Sequence, residues 1–127
     1  VGMGTAGLHH RLCHTLGGTW QTPHAETHAI LLPHSVAHNA PAVPAQTRRV
    51  AAALGADDAA RAIHELALAI GNHTALRDIG FPPQDIDRAV AITLELPFPN
   101  PQPVTPASLR HLLENATLGR PPSVPPA

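Results

Sequence analysis

A chain of 127 residues is long enough to form one domain with a buried core. Its formal net charge of −1, with charges scattered along the sequence, favours neither a nucleic acid nor a membrane surface as a partner. Cys13 is the only cysteine and cannot form an internal disulfide, and no apolar run reaches the length of a membrane span, so we expect a cytoplasmic protein.

The first residues carry a glycine-rich motif. Gly2-Met3-Gly4-Thr5-Ala6-Gly7 has the spacing of the dinucleotide-binding G-x-G-x-x-G fingerprint. That fingerprint binds pyrophosphate only where a buried strand leads into the turn, and Val1 alone precedes it here. We therefore reject a nucleotide site and expect these glycines to let a helix pack closely. Because the sequence opens without an initiator methionine or a helix cap, we expect it to be the later part of a longer polypeptide.

A first helix follows and carries two histidines on one face. His10 and His14 are four residues apart, which places one side chain above the other. The Gly17-Gly18 pair predicts the end of this helix, with a glycine in the left-handed C-terminal position.

A second helix begins at Pro23, since a proline in the first turn loses no needed N–H. His24 and His28 form a second pair with the same spacing of four residues. The loop between the helices is short enough to fold this pair back against His10 and His14. We expect the four imidazoles to converge on one pocket.

Such a histidine cluster has two interpretations. Imidazole is the commonest neutral metal ligand and titrates near pH 7, which favours metal binding or proton transfer. Histidines at helix ends also hydrogen-bond to backbone groups without any chemical role, and that interpretation stays open. Ten of the 127 residues are histidine, and His34 and His38 continue the same spacing, which favours the functional interpretation.

The middle of the chain predicts two further helices. A short helix runs from Ala45 to Leu54 and ends at Gly55. Asp57-Asp58 stand at the start of the next helix, where negative charge complements the exposed N–H groups. That helix carries a predicted apolar stripe of Ile63, Leu66, Ala67 and Ile70 and stops at Gly71.

The last part of the chain predicts two more helices joined by a proline-rich strap. Pro82-Pro83 begin a helix, and the run from Pro97 to Pro106 is extended. Thr105 caps the last helix, which Gly119 ends. No stretch alternates as a strand does, so the fold class is all-α, about six helices in a bundle. We expect residues 1–120 to form the helical domain and residues 121–127 a flexible tail.

At the histidine stretch the sequence resembles a known family. Gly7-Leu8-His9-His10-Arg11-Leu12-Cys13-His14-Thr15-Leu16-Gly17-Gly18, followed by Pro23-His24-Ala25-Glu26-Thr27-His28, is similar to the maleylacetate reductases, a group within the iron-containing alcohol dehydrogenase family. The wider family has the looser pattern His-x-x-x-His-x-Leu-Gly followed by Pro-His-Gly. The resemblance covers essentially the whole chain, but only about the last third of the family enzyme.

The resemblance implies a fold and an activity. Members join an N-terminal nucleotide-binding domain to a C-terminal helical bundle, and the active site lies between the two. The implied reaction is the reduction of maleylacetate to 3-oxoadipate by NAD(H) or NADP(H) in the degradation of aromatic compounds. Without the nucleotide-binding domain we expect this chain to be inactive. Loss of that domain also exposes apolar surface, from which we expect a homo-oligomer.

The resemblance also implies roles for single residues. His10 and His24 match two ligands of a divalent metal, iron or zinc, in metal-dependent members. His14 matches a histidine that approaches the nicotinamide, which makes it both a cofactor-binding and a catalytic candidate. His28 belongs to the version of the motif found in the reductases and is the second catalytic candidate, facing the dicarboxylate substrate. Two ligands are too few for a three-ligand metal site, so we expect this chain alone to bind metal weakly.

Two alternatives remain open from the sequence. The chain is also compatible with the same domain of a metal-dependent alcohol dehydrogenase of the family, acting on another substrate. It is also compatible with a non-catalytic helical module that binds metal or associates with a partner.

Overall fold

The computed structural model describes residues 6–126 and is built from α-helices. There are six of these in that range: α1 (Ala6–Thr15), α2 (His24–Asn39), α3 (Pro44–Ala53), α4 (Ala59–Ala69), α5 (Ile86–Thr93) and α6 (Pro106–Leu118). A π-helical segment, Leu16–Trp20, continues α1, and three short 3₁₀ turns join other helices. Residues 6–126 contain no β-strand, so the all-α prediction is confirmed.

The main core lies between α1, α2, α5 and α6. Most of its members are large aliphatic side chains, and Phe81 joins them from the loop before α5. The leucines among them are Leu8, Leu12, Leu16, Leu31, Leu76, Leu109, Leu112 and Leu113. The leucines of α1 recur every four residues, which puts them on the face opposite to the cleft described below. Burial of this face therefore orients α1 and turns His10 and His14 outward.

A second, smaller core joins the C-terminal half of α2 to α3 and α4. It consists of Val36 and Ala37 from α2, Ala51 from α3, and Ala59 and Ala60 from α4. Alanine at these contacts lets the helix axes approach closely. This small core fixes the far end of α2, whose near end carries His24 and His28.

Two predicted helix starts are confirmed in detail. The Asp58 carboxylate accepts a hydrogen bond from the backbone N–H of Arg61 at 3.1 Å, as an N-cap does. The Thr105 hydroxyl accepts one from the Ser108 N–H at 3.0 Å, and the Ser108 hydroxyl accepts one from the Thr105 N–H at 2.9 Å, which completes a capping box.

The predicted apolar stripe of α4 is not buried. Leu66 is 54% exposed and Ile70 is 64% exposed, while Ile63 is partly buried. α4 instead buries Ala59, Ala60 and His64. The predicted stripe is therefore not the buried face of this helix. Periodicity identifies an apolar face, but it does not show whether another element covers that face.

The proline-rich strap closes over the start of α1. The Asn100 side-chain carbonyl accepts a hydrogen bond from the Leu8 N–H at 3.0 Å, and the Asn100 amide donates to Asn39 Oδ1 at 2.8 Å. A Cβ atom on Gly7 would overlap the carbonyl oxygen of Pro99. Close packing is thus confirmed at Gly7, whereas residues 2–5 of the glycine-rich motif lie outside the described residues.

The chain after α6 folds back onto that helix. The Ser123 hydroxyl lies 2.8 Å from His111 Nε2 and accepts a hydrogen bond from the Asn115 amide at 3.3 Å. The division into a domain of residues 1–120 and a flexible tail stays a prediction. None of the helices within residues 6–126 is long and apolar enough to cross a membrane.

Candidate functional site

A cleft of about 410 Å³ lies between α1, the π-helical segment and the start of α2. It is lined by the four predicted histidines together with small and polar residues; the full set is His10, Cys13, His14, Gly17, Gly18, Thr22, His24, Thr27 and His28. Both helices contribute residues four apart, which project from one face of each helix. The structure therefore brings together every histidine expected in the pocket.

The turn between the two helices differs from the prediction. The helix does not end at Gly17-Gly18; it continues through them with π geometry, and Gln21 takes the left-handed conformation (φ 56°, ψ 37°). The Gln21 N–H donates to the carbonyl of Leu16, five residues back. A single π turn of this kind widens the helix locally and is frequent at functional sites.

The two glycines leave the floor of the cleft open. A Cβ atom at Gly17 or at Gly18 would meet nothing within 4 Å, although both residues line the cleft. Side chains there would therefore project into the space available to a ligand. Glycine at such a position allows a bound molecule to approach the backbone closely.

Trp20 anchors the far end of the π-helical segment. Its indole N–H donates to Asp85 Oδ2 at 2.9 Å, and its ring meets Phe81 edge to face with 5.0 Å between centroids. The guanidinium of Arg88 lies 5.3 Å from the same ring. These contacts fasten the rim of the cleft to the segment that leads into α5.

His28 is the centre of the imidazole cluster. Its ring centroid lies 4.3 Å from that of His24, 4.9 Å from that of His9 and 6.4 Å from that of His10. His10, His14 and His24 are exposed, whereas His28 is partly buried. Three imidazoles are thus accessible to a ligand from solvent, and His28 lies behind them.

Two residues of the cluster were not predicted as site residues. His9 is 8% exposed, and its Nδ1 atom lies 3.1 Å from the Ser35 hydroxyl, while its Nε2 atom lies 3.2 Å from His28 Nδ1. The same Nε2 atom lies 3.8 Å from the sulfur of Cys13. The spacing of four residues between His9 and Cys13 was a signal in the sequence, since it places both on one face of α1.

The inner members of the cluster are neutral at pH 7. Burial, together with nearby His28 and His10, lowers the pKa of His9 to about 4. Burial, with His24 and His10 nearby, also lowers the pKa of His28. The pKa of the Cys13 thiol is raised to about 12 by burial. The inner part of the cluster thus holds two uncharged imidazoles and an uncharged thiol, which are suited to donate and accept hydrogen bonds.

Residues 1–117 match the sequence profile described as Fe-containing alcohol dehydrogenase family, C-terminal. The chain belongs to the iron-containing alcohol dehydrogenase family. The predicted resemblance is thereby confirmed, and the match covers the cleft and all six helices except the last residue of α6.

Individual members of the family give the same assignment. The chain is 47% identical to the maleylacetate reductase of Pseudomonas aeruginosa over 97% of its own length and 35% of that protein. It is 44% identical to the maleylacetate reductase of Sphingobium indicum, over 96% of this chain and 35% of that protein. The chain therefore spans about a third of the length of these relatives.

Crystal structures of family members share the fold. The maleylacetate reductase of Agrobacterium tumefaciens superposes with a TM-score of 0.85 at 37% identity, covering 91% of this chain and 33% of that one. The iron-containing alcohol dehydrogenase of Corynebacterium glutamicum superposes with a TM-score of 0.78 at 48% identity, covering 87% and 32%. The bundle is thus the C-terminal helical architecture of iron-containing alcohol dehydrogenases.

His34 and His38 do not extend the family's histidine cluster. His34 is buried against His64, with 6.2 Å between ring centroids, and burial lowers its pKa to about 3. His38 Nδ1 lies 3.1 Å from Asn39 Oδ1 and its Nε2 lies 3.0 Å from the Ser108 hydroxyl. Because a helix rises about 1.5 Å per residue, His34 starts about 9 Å further along α2 than His28. Equal spacing in sequence therefore does not keep these residues in the cleft.

The described residues do not complete a metal site around His10 and His24. Within residues 6–126, the group of three or more potential ligands whose atoms converge is His9, Cys13 and His28. His10 and His24 line the same cleft but have no third ligand from the described chain. A three-ligand ion at His10 and His24 thus requires a donor from outside these residues.

Proposed function

We propose that this chain is the helical part of an NAD(P)H-dependent maleylacetate reductase and supplies the histidines of its active site. The convergence of His10, His14, His24 and His28 on one cleft carries this proposal. The similarity to maleylacetate reductases over nearly the whole chain supports the choice of reaction. Because the chain spans about a third of those proteins, the activity belongs to the complete polypeptide.

In the proposed reaction the carbon–carbon double bond of maleylacetate is reduced to give 3-oxoadipate. The nicotinamide cofactor supplies a hydride to one carbon of the double bond. His14 donates a proton to the neighbouring carbon, since it is exposed at the cleft and shares its helix face with His10. One hydride and one proton together account for the two hydrogen atoms added.

The cleft also offers hydrogen-bond donors for the two carboxylates of the substrate. His28 contributes from the partly buried back of the cleft, and its lowered pKa keeps it neutral at pH 7, so that a ring N–H rather than a full charge meets the carboxylate. The exposed His10 and His24 flank it. The open space over Gly17 and Gly18 leaves room for the carbon chain.

The cofactor must be held mainly by another part of the enzyme. Residues 6–126 contain no strand and hence no strand–turn–helix unit that cradles a pyrophosphate. We accordingly expect the nucleotide-binding domain to cover the cleft from the open side. A metal ion at His10 and His24 would need a further donor from outside residues 6–126. A cytoplasmic location and a homo-oligomeric assembly stay predictions.

A chimeric enzyme tests the proposal. The chain replaces the matching third of the Pseudomonas aeruginosa maleylacetate reductase, to which it is 47% identical. We expect the chimera to oxidise NADH in the presence of maleylacetate, and a His14→Ala/His28→Ala chimera to lose this activity. A chimera in which glutamine replaces His73, an exposed histidine that does not line the cleft, is the matched control. A folded chimera without maleylacetate-dependent NADH oxidation would contradict the proposal.

A metal-dependent alcohol dehydrogenase is the second candidate. It is favoured by the 48% identity to the iron-containing alcohol dehydrogenase of Corynebacterium glutamicum. The two candidates differ in substrate and in sensitivity to chelation. Alcohol oxidation abolished by a chelator and restored by Fe²⁺ or Zn²⁺ supports the dehydrogenase, whereas chelator-resistant reduction of maleylacetate supports the reductase.

A further inference from the structure

We infer that His9, Cys13 and His28 form a binding site for a thiophilic divalent ion, of which Zn²⁺ is the best match, distinct from the pair His10 and His24. Each residue offers one ligand atom, and these atoms all lie within 4.8 Å of one another. The short contacts of His9 Nε2 with His28 Nδ1 and with Cys13 Sγ identify these three as the ligand atoms. The inference concerns ion binding by this chain and does not depend on the proposed reductase activity.

The distances between these atoms approach those of a tetrahedral zinc site. Zn–N bonds of about 2.0–2.1 Å and a Zn–S bond of about 2.3 Å place tetrahedral ligand atoms about 3.3 Å apart for N and N, and about 3.5 Å apart for N and S. His9 Nε2 lies 3.2 Å from His28 Nδ1 and 3.8 Å from Cys13 Sγ. The ligand atoms of the remaining pair, Cys13 and His28, lie within 4.8 Å of each other. They need to approach by at most about 1.3 Å to reach the tetrahedral N–S separation.

The hydrogen bonding of His9 orients it as metal ligands are oriented. A histidine that binds a metal through one ring nitrogen usually hydrogen-bonds through the other, which fixes the tautomer and the ring plane. His9 has this arrangement, with Nδ1 at 3.1 Å from the Ser35 hydroxyl and Nε2 directed at the other two ligands. His9 and Cys13 come from one face of α1 and His28 from α2, so two packed helices hold the set.

The chemistry of the ligands selects the kind of ion. A neutral imidazole offers a free lone pair to a metal, and a thiol binds a metal as its thiolate, so binding at Cys13 releases the thiol proton. Thiolate and imidazole ligands suit zinc, whereas Mg²⁺ and Ca²⁺ take oxygen ligands.

The fourth coordination position opens onto the cleft. Cys13 and His28 both line the cleft, so an ion between them is accessible from it. Three protein ligands with one open position is the arrangement of catalytic rather than purely structural zinc sites. The open position would accept water or a carboxylate from a bound molecule, while the Nε2 atom of His28 stays outside the ligand set.

Titration of the purified 127-residue chain with Co²⁺, followed by displacement with Zn²⁺, tests the inference. We expect one ion per chain and a sulfur-to-cobalt charge-transfer band in the near ultraviolet, both lost in Cys13→Ser and in Cys13→Ala. Ser35→Ala should retain the band but weaken binding by about 10–100-fold, the usual effect of removing an outer hydrogen-bond partner. Far-ultraviolet circular dichroism verifies that each variant remains helical.

The double variant His10→Gln/His24→Gln is the matched control, since both side chains lie in the same cleft but outside the ligand set. We expect it to retain the stoichiometry and the charge-transfer band. Absence of binding by the unmodified chain would overturn the inference. So would binding that survives Cys13→Ser and Cys13→Ala unchanged, or binding that only the double variant abolishes.

Discussion

Burial distinguishes the histidines of this chain more than their spacing does. His10, His14 and His24 are exposed at the cleft, whereas His9 and His34 are buried with strongly lowered pKa values. The cause in both buried cases is first the loss of hydration, which disfavours the charged form. The histidines of this chain therefore fall into two groups, although they repeat at one spacing. Some are accessible and can contact a ligand, and others are buried and neutral.

The first residue-scale prediction separates the roles of His14 and His28 in the chimeric reductase. His14→Ala should lower kcat by about 10²–10⁴-fold, as loss of a positioned proton donor does. His28→Ala should mainly raise KM, because a carboxylate contact stabilises the bound substrate and the transition state alike. Steady-state kinetics with maleylacetate measure both. If both variants had the kinetics of the unmodified chimera, the prediction would be contradicted and the two histidines would have only a structural role.

The second residue-scale prediction concerns acid stability. His34, which faces His64 and His111, has a pKa of about 3 in the folded chain against 6.5 ordinarily. The unfolded chain therefore binds the extra proton first, and the free energy of unfolding falls by about 1.4 kcal/mol per pH unit as pH drops from about 6.5 towards 3. Above pH 6.5 this effect is absent. His34→Leu should remove the part of this dependence that is due to His34 and leave the part due to His9, whose pKa is also lowered, to about 4.

Urea denaturation between pH 3.5 and 7 measures this effect. His73→Gln is the control, because His73 is exposed and keeps its hydration on folding. An acid dependence that is equally steep in the unmodified chain, in His34→Leu and in His73→Gln would contradict the prediction.

At the scale of single elements, the glycines of α1 and of its π-helical extension differ in the space beside their Cα atoms. Gly7 faces the strap, where a Cβ atom would overlap the Pro99 carbonyl oxygen. Gly17 and Gly18 face the cleft, where a Cβ atom would meet no neighbour within 4 Å. The first glycine therefore serves packing, and the other two keep the cleft open.

Substitution at Gly7 should destabilise the chain. Gly7→Ala forces α1 and the strap apart and disturbs the bond from the Leu8 N–H to Asn100. We expect a loss of about 1–3 kcal/mol in the free energy of unfolding, the usual effect of overpacking, measured by urea denaturation. An unchanged midpoint in the Gly7→Ala variant would show that the strap yields without cost.

Substitution at Gly18 should leave the stability unchanged or raised and should lower the activity of the chimera. Gly18→Ala meets open space at a residue without a positive φ, so the free energy of unfolding should stay constant or rise by up to about 1 kcal/mol. The added methyl group narrows the cleft, and we expect kcat/KM of the chimera to fall. A variant that is as active as the unmodified chimera would show that ligands do not approach this part of the backbone.

At the scale of the whole molecule, the chain has a histidine cleft but lacks a nucleotide-binding unit within residues 6–126. We predict that the purified 127-residue chain neither binds NADH nor oxidises it with maleylacetate. Calorimetry and absorbance at the NADH band measure the two properties, with the chimera as positive control. Turnover by the chain alone would contradict a division of the active site between two domains.

The local sequence by itself determined most helix starts and the pairing of the histidines. The caps at Asp58 and Thr105 and the spacing of His24 and His28 depend on atoms within one or two turns, so they could be predicted. The tertiary structure alone decided that α1 continues through Gly17-Gly18 as a π turn. Trp20 is fastened by Phe81 and Asp85, which are remote in sequence.

Burial was likewise decided only in three dimensions. His9 became an inner member of the cluster because Ser35 and His28 of α2 pack over it, and no pattern within α1 specifies that. Leu66 of α4 and Ile70, just after that helix, stayed exposed because no described element covers them, although their periodicity is that of a buried face. A sequence encodes which faces are apolar and which groups are polar; the packing of distant segments decides which of them lose contact with water, and thereby their pKa values and their chemistry.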